Sequence, residues 1–182
     1  GDRLSLRGTT ASGLGLAQVG YQLPMGYSGH RLSGSITHLN YHLIKDFEAL
    51  NARGTADTKS IEWQYPWILQ PKMQLNSWLK YENKSLKDSV SGQNIDDKKL
   101  ESVHIGGSIQ RDDWRFGGGR TAFNIDFSKG NVDLANNTDN LNTDASTAKT
   151  KGGYGKVNYG LSRWQRVSAH WSGFLSLTGQ YS

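Results

Sequence analysis

Residues 61–65 read Ile-Glu-Trp-Gln-Tyr, so that large apolar side chains alternate with Glu62 and Gln64. Alternation with a period of two places unlike side chains on the two faces of a β-strand. The same pattern recurs in residues 103–110 and 123–128, whereas apolar spacings of three and four residues are almost absent. The pattern therefore predicts an all-β protein whose strands each have one apolar and one polar face.

Nine strands are predicted from this alternation. They cover residues 2–9, 14–23, 31–43, 53–65, 73–86, 100–111, 120–131, 153–164 and 170–181. Most approach the ~9–11 residues that a tilted strand needs to cross a bilayer, and exceed the ~5–6 residues usual in soluble proteins. The predicted fold is an antiparallel transmembrane β-barrel. Because bacterial single-chain barrels close with even strand numbers, we expect residues 1–182 to be one partial barrel domain, or the strand count to be wrong by one.

The predicted connections alternate between short and long. Short connections fall at residues 24–29, 66–71, 112–119 and 165–169, and long polar connections at residues 44–52, 87–99 and 131–152. Outer-membrane barrels have tight periplasmic turns and long extracellular loops. The alternation therefore favours a membrane barrel over a β-sandwich.

Aromatic residues cluster near the short connections. Such a cluster indicates an interfacial aromatic girdle, in which the ring lies at the edge of the lipid and its polar atom reaches water. The alternative is a set of core aromatics near strand ends. The candidate girdle residues are Tyr21, Tyr65, Trp67, Trp114, Trp164 and Trp171.

Polar side chains on the opposite face are candidates for lining the interior of the barrel. They either line a conduit for an unfolded chain or are simply solvated by water inside the barrel. The candidates are Glu62, Lys80, Glu82, Gln110, Asn124, Asp126 and Asn158.

Composition excludes several other classes of protein. No stretch approaches the ~18 consecutive apolar residues of a transmembrane helix, and the absence of cysteine excludes disulfides and thiolate metal sites. The net charge of +5 arises from basic and acidic residues spread along the chain, so no nucleic-acid partner is expected. His38 and His42 lack further ligands at metal-binding spacing, and residues 117–119 lead into a strand rather than a phosphate-binding helix. We expect no metal, no cofactor and no catalytic residues.

Two longer segments and several short motifs resemble one family. Residues 1–8 read GDRLSLRG and residues 20–32 read GYQLPMGYSGHRL. Residues 54–56 (GTA), 84–88 (KSLKD), 116–119 (FGGG) and 177–180 (LTGQ) follow in matching order. Together they resemble the barrel domain of the two-partner secretion transporters, the haemolysin secretion/activation proteins of the Omp85 superfamily. The resemblance covers essentially all 182 residues and depends on the order and spacing of these motifs.

The resemblance implies a barrel of about sixteen strands in a Gram-negative outer membrane, preceded by two POTRA domains and a plug helix. Such transporters secrete one large partner exoprotein, in unfolded form and without nucleotide hydrolysis. The chain would match roughly the second to tenth strands, so none of the family's functional residues is transferred to it. The implied partners are the exoprotein, outer-membrane lipid and lipopolysaccharide, around a monomeric barrel. A diffusion porin, a barrel that anchors a surface enzyme or adhesin, and a soluble β-sandwich module remain alternatives.

Overall fold

The computed structural model describes residues 1–44, 49–134 and 151–182. These residues form one antiparallel sheet of nine strands, whose order in space is their order in the chain. The strands are β1 Arg3–Ala11, β2 Leu14–Met25, β3 His30–His42, β4 Ala52–Gln70, β5 Met73–Val90, β6 Gln93–Asp113, β7 Gly119–Asp133, β8 Gly152–Arg166 and β9 Ser172–Tyr181. The predicted all-β, antiparallel architecture is confirmed for this part of the chain.

Each strand pairs only with its neighbours in the chain. The first and last strands, β1 and β9, are the two edges of the sheet and do not pair with each other. The described residues therefore form an open sheet. Among them, no helix has the length and apolar content that crossing a membrane would need.

The β5–β6 connection differs from the prediction. Residues 87–99 were predicted to be a long polar connection, but the two strands stay paired out to Val90 and Gln93, and only Ser91 and Gly92 form the turn. Both turn residues have positive φ, 51° and 82°, as a tight hairpin turn requires. The prediction was wrong because this part of the hairpin is polar on both faces. The alternation of apolar and polar side chains disappears there, although the backbones of β5 and β6 stay paired.

Irregular backbone occurs at two of the predicted short connections. Strand β4 continues past Pro66 to Gln70, with a register shift between Pro66 and Ile68, so that most of the predicted connection 66–71 is strand. The β6–β7 connection contains a 3-10 turn at Arg115–Gly117, in which Phe116 has a φ of 54°. Most of the predicted long connection 131–152, and residues 45–48 of the connection 44–52, lie outside the described residues.

The pairing register divides the sheet into an apolar face and a polar face, because directly paired residues point to the same side. One row of paired residues on the apolar face is Trp63, Leu79, Ile105, Phe127 and Val157. The adjacent row on the polar face is Glu62, Lys80, His104, Ser128 and Lys156. In these two rows each strand presents an apolar side chain on one side and a polar side chain on the other.

Burial in this sheet is reversed relative to that in a water-soluble protein. Leu134 is the one buried large hydrophobic residue among those described, whereas 32 large hydrophobic residues are exposed. The buried polar residues are Glu82, Asp97, Ser102 and Ser128. Soluble monomers rarely expose apolar patches larger than a few hundred Å², and the described residues leave the apolar face without a covering layer.

Candidate functional site

The apolar face carries a band of apolar side chains, and on β6 this band has a charged residue at both limits. Val103, Ile105 and Ile109 lie on this face between Glu101 and Arg111, and charge follows at both limits. At ~3.3 Å per residue, the two limiting residues are about 33 Å apart along the strand. A strand tilted by ~40° would cover ~25 Å of thickness, which is the height of the lipid-facing band of outer-membrane barrels.

Neighbouring strands continue this band, which we call the apolar belt. On one side it ends at Lys59 of β4, Asn83 of β5, Glu101 of β6 and Lys129 of β7; on the other it ends at Arg111 of β6 and Arg163 of β8. The members on these strands are Ile61, Trp63, Leu75, Leu79, Tyr81, Val103, Ile105, Ile109, Phe123, Ile125, Phe127, Val157, Tyr159 and Leu161. The belt is therefore continuous across five strands and is bounded by polar or charged residues.

The register places all seven polar candidates on the polar face. Glu62 is paired with Lys80, and Asp126 is paired with Asn158. Gln110 and Asn124 lie on the same face, because they pair with Gln74 and Ser108 respectively, while Glu82 follows Lys80 by two residues. The structure thus brings these residues together on one surface, opposite the apolar belt.

The carboxylate of Glu82 is held between two lysines on the polar face of β5. Its two oxygens lie 2.5 Å from Lys80 Nζ and 2.8 Å from Lys84 Nζ. Glu82 is only 9% exposed, and a buried carboxylate needs such compensation. The three side chains leave this part of the face with mixed charge rather than a block of one sign.

Asp126 is the centre of a second polar network, which spans three strands. One carboxylate oxygen accepts a hydrogen bond from the Trp78 indole at 3.1 Å, and the other lies 3.1 Å from His104 Nδ1. His104 Nε2 lies in turn 3.1 Å from Ser102 Oγ. Trp78 and His104 are not among the predicted lining residues, although their even positions on β5 and β6 match those of Lys80 and Gln110.

The order Ser102, His104 and Asp126 matches the hydrogen-bond order of a hydrolase triad. Acyl transfer also needs donors aimed at the developing oxyanion. The backbone of β6 is paired on both sides at this point, with β5 and with β7, and the Glu82 carboxylate lies directly opposite Ser102. We therefore interpret the network as a structural tie and assign it no catalytic role.

At two of the places on the polar face where an aromatic side chain lies across a glycine, its polar atom also reaches an aspartate of the next strand. Tyr41 of β3 crosses Gly54 of β4, and its hydroxyl donates to Asp88 of β5 at 2.9 Å. In the same way Trp78 crosses Gly106 to reach Asp126. A Cβ at either glycine would overlap the ring, so each glycine is required by the close approach of the aromatic side chain.

The predicted girdle aromatics occupy different places. Tyr21 and Tyr65 lie on the apolar face, and the Trp67 ring lies 4.5 Å from that of Tyr65. The Trp67 indole donates to Ser77 Oγ at 2.9 Å. Tyr21 and Tyr65 therefore lie on the apolar face and Trp67 lies against it, while their place in a membrane-interface girdle stays a prediction.

The other three girdle candidates do not join them. Trp114 and Trp171 lie in connections, where they are 80% and 75% exposed. Trp164 departs from the prediction, because it pairs with Arg120 on the polar face. Its position has the same parity as Asn158, which could have revealed this placement from the sequence.

Asp112 and Asp113 are the last two residues of β6, where the β6–β7 connection begins, and their side chains lie on opposite faces of the sheet. Asp112 accepts two hydrogen bonds from Arg120, at 2.7 and 2.9 Å. Asp113 accepts two from Arg163, at 2.8 and 3.1 Å. The hydrogen bonds from Arg163 lower the pKa of Asp113 to about 2. The connection is therefore tied to both β7 and β8.

Metal binding has no support in the described residues. No group of three or more His, Cys, Asp or Glu side chains that could hold an ion occurs within this part of the chain. His38 contacts Asp57 at 2.6 Å, which gives it one acidic partner. His38 and His42 lie four residues apart along β3, which separates their side chains by about 13 Å at ~3.3 Å per residue.

Comparison of the sequence with protein-family models gives no match, and comparisons with the curated proteins and with solved structures give none. The assignment of a class of protein therefore depends on the geometry of the two faces and on the resemblance of the motifs.

Proposed function

We propose that the chain forms part of the wall of a Gram-negative outer-membrane β-barrel, with the apolar belt facing lipid and the polar face lining an aqueous conduit. The observation that carries this proposal is the reversed burial of the sheet. Side chains of the apolar face such as Ile105, which is 59% exposed, need an apolar solvent, while those of the polar face, such as Glu82, are covered. A bilayer outside and water inside satisfy both faces.

Closure of the sheet is part of the same proposal. In a bilayer, the unpaired backbone groups along β1 and β9 would be costly, because lipid offers them no hydrogen bonds. We therefore propose that further strands pair with these two edges, in a barrel of about sixteen strands of which β1–β9 are nine. Each edge strand already carries apolar side chains on the belt side, such as Leu6 and Leu177.

The transported substrate is proposed to be a large partner exoprotein that crosses in unfolded form, as in two-partner secretion. The motif resemblance, above all in residues 1–8 and 20–32, supports this choice over a diffusion porin or a barrel anchor. The polar face also suits an unfolded chain, because alternating charges such as Lys80 and Glu82 offer no continuous apolar surface to which it could adhere. We propose no enzymatic activity for this chain.

Membrane insertion is tested with the protein isolated from the cells that produce it. The outer-membrane fraction is extracted with detergent, and boiled and unboiled samples are compared on gels. We expect the protein to be β-rich by circular dichroism, to change mobility on boiling, and to need detergent for solubility. A protein that stays folded and soluble in plain buffer would contradict the membrane assignment.

Secretion is tested by deleting the gene and comparing the proteins of the culture medium with those of the parent strain. We expect one large exoprotein to disappear from the medium and to return on complementation. Unchanged secretion with slower uptake of small solutes would favour the porin alternative. Loss of a surface enzyme activity or of adhesion, with no change in the medium, would favour the anchor alternative.

A further inference from the structure

An open groove lies where the apolar belt meets the short connections. Its volume is about 750 Å³, and it is lined by Lys72 of the β4–β5 turn and by Arg111, Trp114 and Arg115 around the end of β6. We call these four residues the basic groove. Met73 also lines it and pairs with Arg111 on the apolar face, so the groove is continuous with the belt.

The three cations of the basic groove are exposed. Lys72, Arg111 and Arg115 form no ion pair with any carboxylate in the described part of the chain. The Lys72 ammonium lies 4.6 Å from the centre of the Trp114 ring, a cation–π contact that leaves its charge available to a ligand.

Two carboxylates, Asp112 and Asp113, also line the groove, and each is bound by an arginine that lies outside it. Asp112 is bound by both donors of Arg120, and Asp113 by both donors of Arg163. The groove therefore keeps three positive charges in a space in which the neighbouring negative charges are neutralised.

We infer that the basic groove binds the phosphate of an anionic glycerophospholipid headgroup. The inference rests on the proposed membrane function, because it places the groove at the edge of the bilayer. Two guanidinium groups and one ammonium suit a phosphate diester. Trp114 is the amphipathic ring expected at headgroup depth. The acyl chains would follow the belt past Met73 and Ile109.

The opposite limit of the belt lacks this arrangement. Its cations Lys59, Lys99 and Lys129 lie on three different strands, and Glu101 shares their face between them. An open groove continuous with apolar surface also favours a lipid over free phosphate, which has no acyl chains to place along the belt. These features commit the inference to a lipid headgroup at the short-connection limit.

The test uses the protein extracted as the cell makes it and reconstituted into phosphatidylcholine vesicles that contain a minor fraction of phosphatidylglycerol. Lipids retained by the protein are counted by native mass spectrometry after release into detergent. We expect the wild type to be enriched in phosphatidylglycerol, and the variant Lys72→Gln, Arg111→Gln, Arg115→Gln to lose this enrichment by roughly 10- to 100-fold. Added salt should also weaken it.

Two further variants make the outcome specific. The charge-preserving variant Lys72→Arg, Arg111→Lys, Arg115→Lys should keep most of the enrichment. The matched variant Lys59→Gln, Lys99→Gln, Lys129→Gln removes the same charge at the other limit of the belt and should keep all of it. Equal losses from both limits would overturn the inference in favour of a general charge effect.

Further outcomes separate failure of the headgroup site from failure of the proposed membrane function. Enrichment of phosphatidylglycerol that survives loss of the three groove cations would overturn the inference. Failure of the wild type to insert into pure phosphatidylcholine vesicles would instead overturn the proposed membrane function. Insertion without any phosphatidylglycerol preference overturns the headgroup site alone.

Discussion

The Trp78 indole donates a hydrogen bond to Asp126 across the full width of β6, which joins β5 directly to β7. The bond is possible because Gly106 leaves the space that the ring crosses. Ordinary cross-strand contacts join neighbouring strands only. This tie therefore adds a constraint on three strands at once.

Replacement Trp78→Phe keeps a ring over Gly106 and removes the indole donor. We expect the free energy of unfolding to fall by about 1–2 kcal/mol, because Asp126 loses one partner and retains His104. Urea unfolding in detergent, followed by far-ultraviolet circular dichroism, measures the change. The control Trp63→Phe lies on the apolar face and should change stability by less than about 0.5 kcal/mol. Equal effects of the two changes would contradict a role for the indole hydrogen bond.

Replacement Gly106→Ala introduces a Cβ into the space occupied by the Trp78 ring. We expect destabilisation of about 1–3 kcal/mol from overpacking in this close contact. Gly107→Ala is the matched control on the other face, where a Cβ would meet no ring and would lie 3.3 Å from the backbone oxygen of Asn76. The same unfolding experiment applies, and a Gly107→Ala change as costly as Gly106→Ala would rule out the ring as the cause.

The Asp113–Arg163 pair predicts a loss of stability in acid. Arg163 lowers the pKa of Asp113 to about 2 in the folded chain, compared with about 3.9 when it is unfolded. The stabilisation is present above about pH 4 and is lost as the pH falls through 2, because the unfolded chain then binds the proton more readily. Unfolding curves between pH 5 and pH 2 measure this dependence.

Replacement Asp113→Asn isolates the contribution of that pair. The variant should be less stable than the wild type at pH 5, and the difference should shrink towards pH 2. All other carboxylates titrate in both proteins, so the difference between the two curves reports Asp113 alone. A constant difference across this range would show that the pair does not titrate as proposed.

Replacement Ile105→Arg places a charge in the middle of the apolar belt. If the belt faces lipid, we expect a cost of about 2–4 kcal/mol and a smaller inserted fraction in vesicle-folding assays. Gln110→Arg makes a similar change on the polar face and should leave insertion nearly unaffected. Equal tolerance of the two arginines would contradict the assignment of the faces.

Replacements Glu62→Gln and Glu82→Gln each remove one negative charge from the polar face. If the polar face lines a conduit as proposed, we expect the reversal potential of the protein in planar bilayers to shift towards anion selectivity, because the conduit becomes more positive. Glu101→Gln is the matched control, since Glu101 lies on the opposite face at the limit of the belt. A shift of the same size for Glu101→Gln would show that the polar face does not line the conduction path.

Much of the fold follows from the alternation of side chains. Residues 103–110 alternate cleanly because one face of β6 is apolar and the other polar, and this signal predicted both the strands and the shared face of Glu62 and Asp126. The alternation signal is absent where both faces of a strand are polar. For this reason residues 87–90 and 93–99, which are strand, were predicted to be a connection. Pairing there is held by backbone hydrogen bonds, which leave little trace in the choice of side chains.

The details of the polar face could not be predicted in the same way. The contact of Trp78 with Gly106 and Asp126 depends on the register of three strands, and the sequence specifies that register only through the assembled sheet. The basic groove likewise needs the β4–β5 turn and the β6–β7 connection to end side by side. Trp164 is different. Like Asn158 it is an even-numbered residue of β8, and this alone predicts that it lies on the polar face. Its position near a turn instead favoured a place among the girdle aromatics of the apolar face.

The order of the strands in space, β1 to β9 without a crossover, has a consequence for how the sheet is made. Each new strand needs only the strand before it as a template, so the sheet can be built hairpin by hairpin. At each addition a single unsatisfied backbone edge moves forward by one strand, and the previous edge is closed. Closing a loop between consecutive strands costs less conformational entropy than pairing strands that are far apart in the chain. Assembly of the sheet can therefore proceed in one direction, by sequential addition of strands.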